Sequence, residues 1–261
     1  MYNWQESIRA FHEESRDCFT LISHASYLIR TNGVCWVLDP RLDDEMHQQA
    51  DSSIAEDFMQ VRFALISHMH TDHYDRRMIQ QLAENDIFWV FPDFIPEKEK
   101  KFVDSCCRRC VFVHPGQELS LLGIRIRVFN SNHTDYFQGE AYDVPEYGYE
   151  ITAGEERMLF PGDVRNYGVK LTDFPNADVF GHVWLGRKAA LNYSPQMLID
   201  YSKSLLAYTP KRIFLAHLYD LQRDEESMWT EQHAKSVRDE IIGMNPELPV
   251  YYPKHGAIVL L

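Results

Sequence analysis

A short apolar run, Phe63-Ala64-Leu65-Ile66, feeds straight into His68-Met69-His70-Thr71-Asp72-His73, and this junction constrains the chain more than any other feature. The run has the length and composition of a buried strand, so three imidazoles and a carboxylate are delivered to one strand end. Neutral imidazole and carboxylate are the ligands that borderline divalent metals such as zinc prefer. In an extended segment residues i and i+2 project from the same side, so His68 and His70 can grip one ion together. Asp72 and His73 lie where the chain turns, within reach of a second ion. The pattern H-x-H-x-D-H therefore reads as a two-metal signature and points to metal-dependent hydrolysis.

The chain has twelve histidines in 261 residues, and not all need a task. His12, His47, His114 and His233 stand alone and read as surface or helix-face residues without a role. At this length, and 45% hydrophobic, the chain can bury a full core. It contains no Gly/Ser-rich or Pro-rich linker and no solenoid-size repeat, so a single domain over residues 1–261 is expected. The start lacks a basic segment followed by an apolar one, and no apolar run approaches the roughly 20 residues of a membrane helix. Five cysteines, unevenly placed, argue against a disulfide framework. Cys107 and Cys110 have C-x-x-C spacing but no second pair to complete a zinc knuckle. Reduced thiols and a cytoplasmic location are the expectation. The formal charge of −13 repels phosphate backbones and disfavours a long nucleic-acid partner.

Cys18–Ile22, Ser26–Arg30 and Val34–Leu38 read as three consecutive strands with a tight turn at Asn32-Gly33. A polar stretch of helical character, about residues 51–60, precedes the strand that carries the hexapeptide. Helices are expected over 76–84 and about 97–106, with strands at 87–91 and 111–113 and two more around Gly123. In the second half a hairpin is expected around Ala153-Gly154, then strands at 178–180, 213–216 and 257–261. Helices are expected at 195–207 and 225–242. Meandering strands early and alternating strands and helices later point to two sheets with helices outside, a four-layer αββα sandwich.

Three later segments each place a ligand type just past a strand: His133, Asp163 in Pro161-Gly162-Asp163, and His217. Together with the hexapeptide, the set His68, His70, Asp72, His73, His133, Asp163 and His217 resembles the full ligand pattern of the metallo-β-lactamase superfamily, in order and over nearly the whole chain. The resemblance implies the αββα fold of that superfamily and two divalent ions, zinc first, with manganese or iron as substitutes. It implies that His68, His70 and His133 hold one ion, that Asp72, His73 and His217 hold the other, and that Asp163 bridges them. Asp39, ending a strand as Leu38-Asp39-Pro40, matches the superfamily's early Asp, which buttresses the His-rich loop. The stretch Leu21–Ile29 is similar to the branch containing ascorbate-phosphate lactonases and phospholipase-D-like phosphodiesterases. A bridging Asp without a ligand Cys departs from the antibiotic-degrading members, so β-lactamase activity is not expected.

Two such ions, about 3.5 Å apart, share a water and bring its pKa toward neutrality, giving a bridging hydroxide that attacks a carbonyl carbon or phosphorus. Asp72 and Asp163 thus count as catalytic as well as ligating. His24 and His182 are candidates for the acid that protonates the leaving group. His255 rivals His217 for the last ligand position. Trp184, Arg187 and Lys188 could receive an anionic group, and Tyr142, Tyr147, Tyr149 and Tyr193 could line a pocket. The expected substrate is a small ester, lactone or phosphodiester, anionic if those cations serve it. The alternatives are a metal-dependent nuclease, with Arg108-Arg109 and Arg187-Lys188 as its local material, and a non-enzymatic metal-binding relative.

Overall fold

Burial of one face explains the first element. Helix α1 (Trp4–Glu13) places Trp4, Ile8 and Phe11 on one buried stripe, and the Asn3 side chain accepts from the Glu6 N–H at its start. The sequence reading leaves this helix out. The computed structural model describes residues 3–50, 53–137, 140–220 and 223–261. Its contacts divide the chain into two compact units, Met1–His114 with Ser120–Ile124 and Lys254–Leu261, and Pro115–Leu119 with Arg125–Pro253.

In the first unit β1 (Cys18–Leu21), β2 (Tyr27–Thr31) and β3 (Val34–Leu38) form the expected antiparallel meander. Asn32 and Gly33 both take left-handed backbone (φ 50 and 72), the requirement of the tight hairpin turn between β2 and β3. Helices α2 (Asp44–Gln49) and α3 (Ile54–Asp57) follow; residues 51 and 52 of the expected helical stretch lie outside the described residues. Strand β4 (Val61–Leu65) then runs parallel to β3. Next come α4 (Arg76–Gln81), a 3₁₀ turn at Leu82–Glu84, β5 (Phe88–Pro92), α5 (Glu97–Cys106) and β6 (Arg109–Val113). The strands β3, β4, β5 and β6 are mutually parallel, as helical crossovers require. Trp36 on β3 stacks on Phe63 of β4 at 5.4 Å between ring centroids. Both rings are buried.

Strands β7 (Glu118–Leu121) and β8 (Ile124–Asn130) lie around Gly123 as expected. They are followed by a hairpin for which the sequence expectations hold no element, β9 (His133–Phe137) and β10 (Glu140–Val144). Its exposed, acidic strand β10 lacks the apolar alternation that marks a half-buried strand. The expected hairpin of β11 (Tyr147–Ala153) and β12 (Glu156–Phe160) comes next, then β13 (Asp178–His182), α6 (Pro195–Leu206), β14 (Arg212–Ala216), α7 (Glu231–Met244) and β15 (Val250–Tyr251). Strands β12 to β15 are parallel. The final strand β16 (Val259–Leu260) pairs antiparallel with β1. The first sheet therefore runs β16-β1-β2-β3-β4-β5-β6 and the second β15-β14-β13-β12-β11-β8-β7.

Helix α7 begins six residues later than expected, at Glu231 after the Thr230 cap, and His233 is the reason. Its side chain and that of Thr230 form a capping box, and His233 Nε2 lies 2.7 Å from the Ala190 carbonyl oxygen. His233 is thus a buried structural residue, not a surface one. His12, likewise more than a helix-face residue, has its Nε2 2.7 Å from the Asp57 carbonyl oxygen. Among the described residues no helix is long and apolar enough to cross a membrane. All five cysteines are free thiols, and burial pushes Cys18 up to about 12.

Candidate metal centre

The parallel pairing of β3 and β4 sets up the site in the first unit. Register places Leu38 beside Leu65, so the residues just past both strand ends meet. Asp39 turns there in left-handed backbone (φ 48), which costs an L-residue roughly 1–2 kcal/mol, least for Asp or Asn. Its buried carboxylate accepts from the Ser67 N–H at 2.7 Å and the Ser67 hydroxyl at 2.6 Å. Asp39 Oδ2 also lies 2.8 Å from His73 Nδ1. A carboxylate can only accept, so the proton of the neutral imidazole sits on Nδ1, and Nε2 carries the lone pair.

The hexapeptide folds into a single tight turn. The N–H groups of His73 and Tyr74 both donate to the His70 carbonyl, at 2.9 and 2.8 Å. Arg41, buried, donates from Nε to the Thr71 carbonyl at 2.7 Å and ties the loop to the segment after β3. The rings of His68 and His73 approach to 4.2 Å between centroids and those of His68 and His70 to 4.8 Å. Ligand atoms of His68, Asp72 and His73 all lie within 4.8 Å of one another. His24 is buried, with Nε2 4.0 Å from Asp72 Oδ2.

In the second unit a different device gathers the residues. Strands β12, β13 and β14 are parallel, so their C-terminal ends open on one edge, and the register sets His182 beside Ala216. Asp163, His182 and His217 come from those three ends. Asp163 Oδ1 lies 2.7 Å from His182 Nδ1, and Oδ2 lies 3.5 Å from His217 Nε2. Ligand atoms of the three are within 4.8 Å of one another. His217 adopts left-handed backbone (φ 64), unfavourable for a residue with a Cβ, and such strain clusters at functional sites.

Glu146, between β10 and β11, links this group to His133. Both its oxygens accept from the Asp163 N–H at 3.0 Å, and Oε2 lies 3.3 Å from His133 Nδ1. Gly162 makes room for it: φ is +83, and a Cβ there would stand 2.5 Å from Glu146 Oε1. Arg165 extends across the same edge, with Nη2 3.6 Å from Asp163 Oδ2 and its guanidinium 5.5 Å from the Trp184 ring centroid. Glu146 and Arg165 are the functional residues that sequence reading misses. Neither sits in a motif, and only the folded strand ends bring them to Asp163.

The donor set fits divalent metal. Buried imidazoles and carboxylates stand at ligand separations in each unit, and three imidazoles have their Nδ1 edges against a buried carboxylate: His73 on Asp39, His182 on Asp163 and His133 beside Glu146. At His73 the hydrogen bond to Asp39 fixes the tautomer that presents Nε2 to an ion.

Other expected residues fare differently. Among the described residues His255 joins no group of potential ligands; it lies near Asp43, and burial lowers its pKa. Arg187 and Lys188 are exposed, and Lys188 Nζ lies 3.7 and 3.6 Å from Asp224 and Glu226. Trp184 does line the Asp163 edge. Tyr147 and Tyr149 are core residues and Tyr142 is exposed. Two tyrosines outside the sequence expectations, Tyr167 and Tyr201, have rings 5.2 Å apart, and Tyr201 lines a small cavity with His182. Burial, then the neighbouring Tyr201 for Tyr167 and the Asp163 charge for Tyr201, pushes both hydroxyls far above their usual range, so neither is an acid near neutrality.

Comparison with known proteins bears on the whole chain. A family profile described as a beta-lactamase superfamily domain matches residues 19–191. No curated protein matches in sequence. Among solved structures, the chain is similar to Igni18, a metallo hydrolase from the hyperthermophilic archaeon Ignicoccus hospitalis. The TM-score is 0.67 at 14% identity, covering 94% of this chain and 98% of that one. It is similar to CmlA, a diiron β-hydroxylase from Streptomyces venezuelae, with TM-score 0.65 and 15% identity over 95% of this chain and 55% of that one. An isothiocyanate hydrolase from Delia radicum gut bacteria gives TM-score 0.60 and 17% identity over 94% and 98%. At such identities the likeness shows the fold, the mixed α/β metallo-β-lactamase type with two large sheets flanked by helices. Fold alone does not select a reaction.

Proposed function

Because the chain belongs to the beta-lactamase superfamily, we propose that it is a metal-dependent hydrolase of a small ester, lactone or phosphodiester. The observation that carries this reading is the Asp163 carboxylate, which meets His182 and His217 where three parallel strands end. A single domain over residues 1–261 is part of the proposal. His68, His70 and His133 are assigned to one ion, Asp72, His73 and His217 to the other, and Asp163 to both. The support is the seven-residue match to the superfamily pattern, together with the braced imidazoles in each unit.

When bound, two divalent ions, zinc or in its place manganese or iron, lower the pKa of a shared water and polarise the bond to be cleaved. The chain's own residues do the rest. Asp39 holds His73 in the ligating tautomer, Glu146 stands beside His133, and Ser67 and Arg41 keep the loop in place. His182 turns Nδ1 to Asp163, and in its doubly protonated form Nε2 is the atom that would pass a proton to the leaving group and be left with the lone pair. His24, beside Asp72, is the second candidate for that transfer. The formal charge of −13, and the pairing of Lys188 with acidic neighbours and of Arg109 with Asp86 at 2.8 Å, support a small-molecule substrate over nucleic acid.

The test is a hydrolysis panel of chromogenic phosphodiester, carboxylester, thioester and lactone substrates on protein of measured metal content. Metal-dependent turnover of one class is expected. Full metal loading with no turnover of any class would leave the non-enzymatic relative as the better account.

A further inference from the structure

The cation expected to meet an anionic substrate, Arg187 or Lys188, is exposed, whereas a cation that sequence reading passes over is buried at the site edge. Arg165 is 8% exposed at its side chain and shares a cleft with Asp163, His182, Trp184 and His217. The contacts of the guanidinium are long: 3.4 Å from Nη1 to the Thr134 carbonyl, 3.4 Å to Asp135 Oδ1 and 3.6 Å from Nη2 to Asp163 Oδ2. A charge-assisted N–H···O bond closes to about 2.7–2.9 Å. Arg165 Nε, also buried, has no hydrogen-bond partner among the described residues.

Arg212, in the same unit, shows the satisfied state. Its fork closes on Asp178 through two nitrogens, Nε at 2.8 Å and Nη2 closer still. The nearest carboxylate to Arg165 within the cleft, Asp163, instead gives its shortest contact to His182. A buried guanidinium without a tight fork partner, walled on one side by an indole, suits an anionic oxygen group carried on a partly apolar body.

We propose that Arg165 is a specificity-determining residue that binds a carboxylate or phosphate oxygen of the substrate. The inference rests on the hydrolase reading for the word substrate, but not for the anion itself. The test compares the wild type with Arg165→Gln and Arg165→Lys, each of verified metal content and thermal stability. Calorimetric titration with inorganic phosphate and with acetate separates the two anion sources. Arg165→Gln is expected to weaken the better-bound anion roughly ten- to hundredfold. Arg165→Lys, keeping charge but not the fork, should recover part of the loss. Among ester pairs differing only by an anionic substituent, the glutamine variant should raise KM for the charged member and lower its kcat/KM advantage over the neutral one by a similar factor. Anion binding that is absent in the wild type, or equal in the wild type and the glutamine variant, overturns the inference. So does an equal loss on charged and neutral esters, which would make Arg165 a strut for the Thr134 segment. Arg165-dependent anion binding without hydrolysis of any ester would leave this inference standing while the hydrolase reading falls.

Discussion

The two ligand groups reach similar chemistry by opposite routes. In the first unit the ligands are neighbours in sequence, packed into one turn after β4, and the fold's task is to brace that turn with Asp39, Ser67 and Arg41. In the second unit His133, Asp163, His182 and His217 come from four strands or strand ends, and parallel register brings the last three together. Each group sets buried carboxylates against imidazole Nδ1 atoms, Asp39 on His73 in the first, and Asp163 on His182 and Glu146 beside His133 in the second. The difference teaches that a local motif tolerates local change, whereas a site assembled from strand ends depends on the whole sheet edge.

Several substitutions can break or sharpen this contrast. The largest effect is expected from Asp163→Ala, which should abolish hydrolysis and loosen one ion. Near-wild-type turnover in that variant would remove Asp163 from its bridging assignment. Next come the two bracing carboxylates. Asp39→Asn and Glu146→Gln should each weaken metal binding roughly 10- to 100-fold, measured by competition with a chromogenic chelator. Glu146→Gln should also lower activity more than its metal loss explains, because Glu146 accepts from the Asp163 N–H as well. Equal activity of the two variants at full metal loading would contradict that linking role.

Gly162→Ala probes the assembled edge without touching a ligand. The new Cβ meets the Glu146 carboxylate at 2.5 Å in a backbone conformation, φ +83, that disfavours it. A loss of about 1–3 kcal/mol in unfolding free energy is expected. An unchanged Tm would mean the edge yields more readily than described. His182→Ala should slow substrates with poor leaving groups more than those with good ones. Uniform slowing would reduce His182 to orienting Asp163.

The smallest effect is expected at His12, which belongs to neither group. Burial holds the His12 imidazole below its ordinary pKa of 6.5, partly offset by the Asp57 carbonyl contact. Its neutral form is favoured on folding, so its contribution to stability is present above pH 6.5 and is lost as pH falls through the lowered folded value. His12→Asn should flatten the fall in Tm below that pH. An unaltered pH profile would assign the acid sensitivity to other groups.

Much of this molecule was legible in its sequence. The hexapeptide, the early Asp39 and the turn at Asn32-Gly33 are local patterns with local causes, and strand-then-ligand spacing singled out Asp163 and His217. Glu146 and Arg165 were not legible, because their importance arises only when separate loops meet at one edge. Helix α1 escaped notice because its stripe of Trp4, Ile8 and Phe11 is short and broken by charged residues. The hairpin of β9 and β10 escaped because β10 buries little and so lacks a period. His233 was misjudged, since a histidine's cap and its carbonyl partner 43 residues away are tertiary facts.

The most direct test of the central claim is the number of ions bound per chain, read by native mass spectrometry after reconstitution with zinc, for the wild type and Asp163→Ala. Two ions in the wild type and weakened retention of one in the variant are predicted. No bound ion in the wild type, or two ions held equally by both proteins, would contradict a centre built from these seven residues around Asp163.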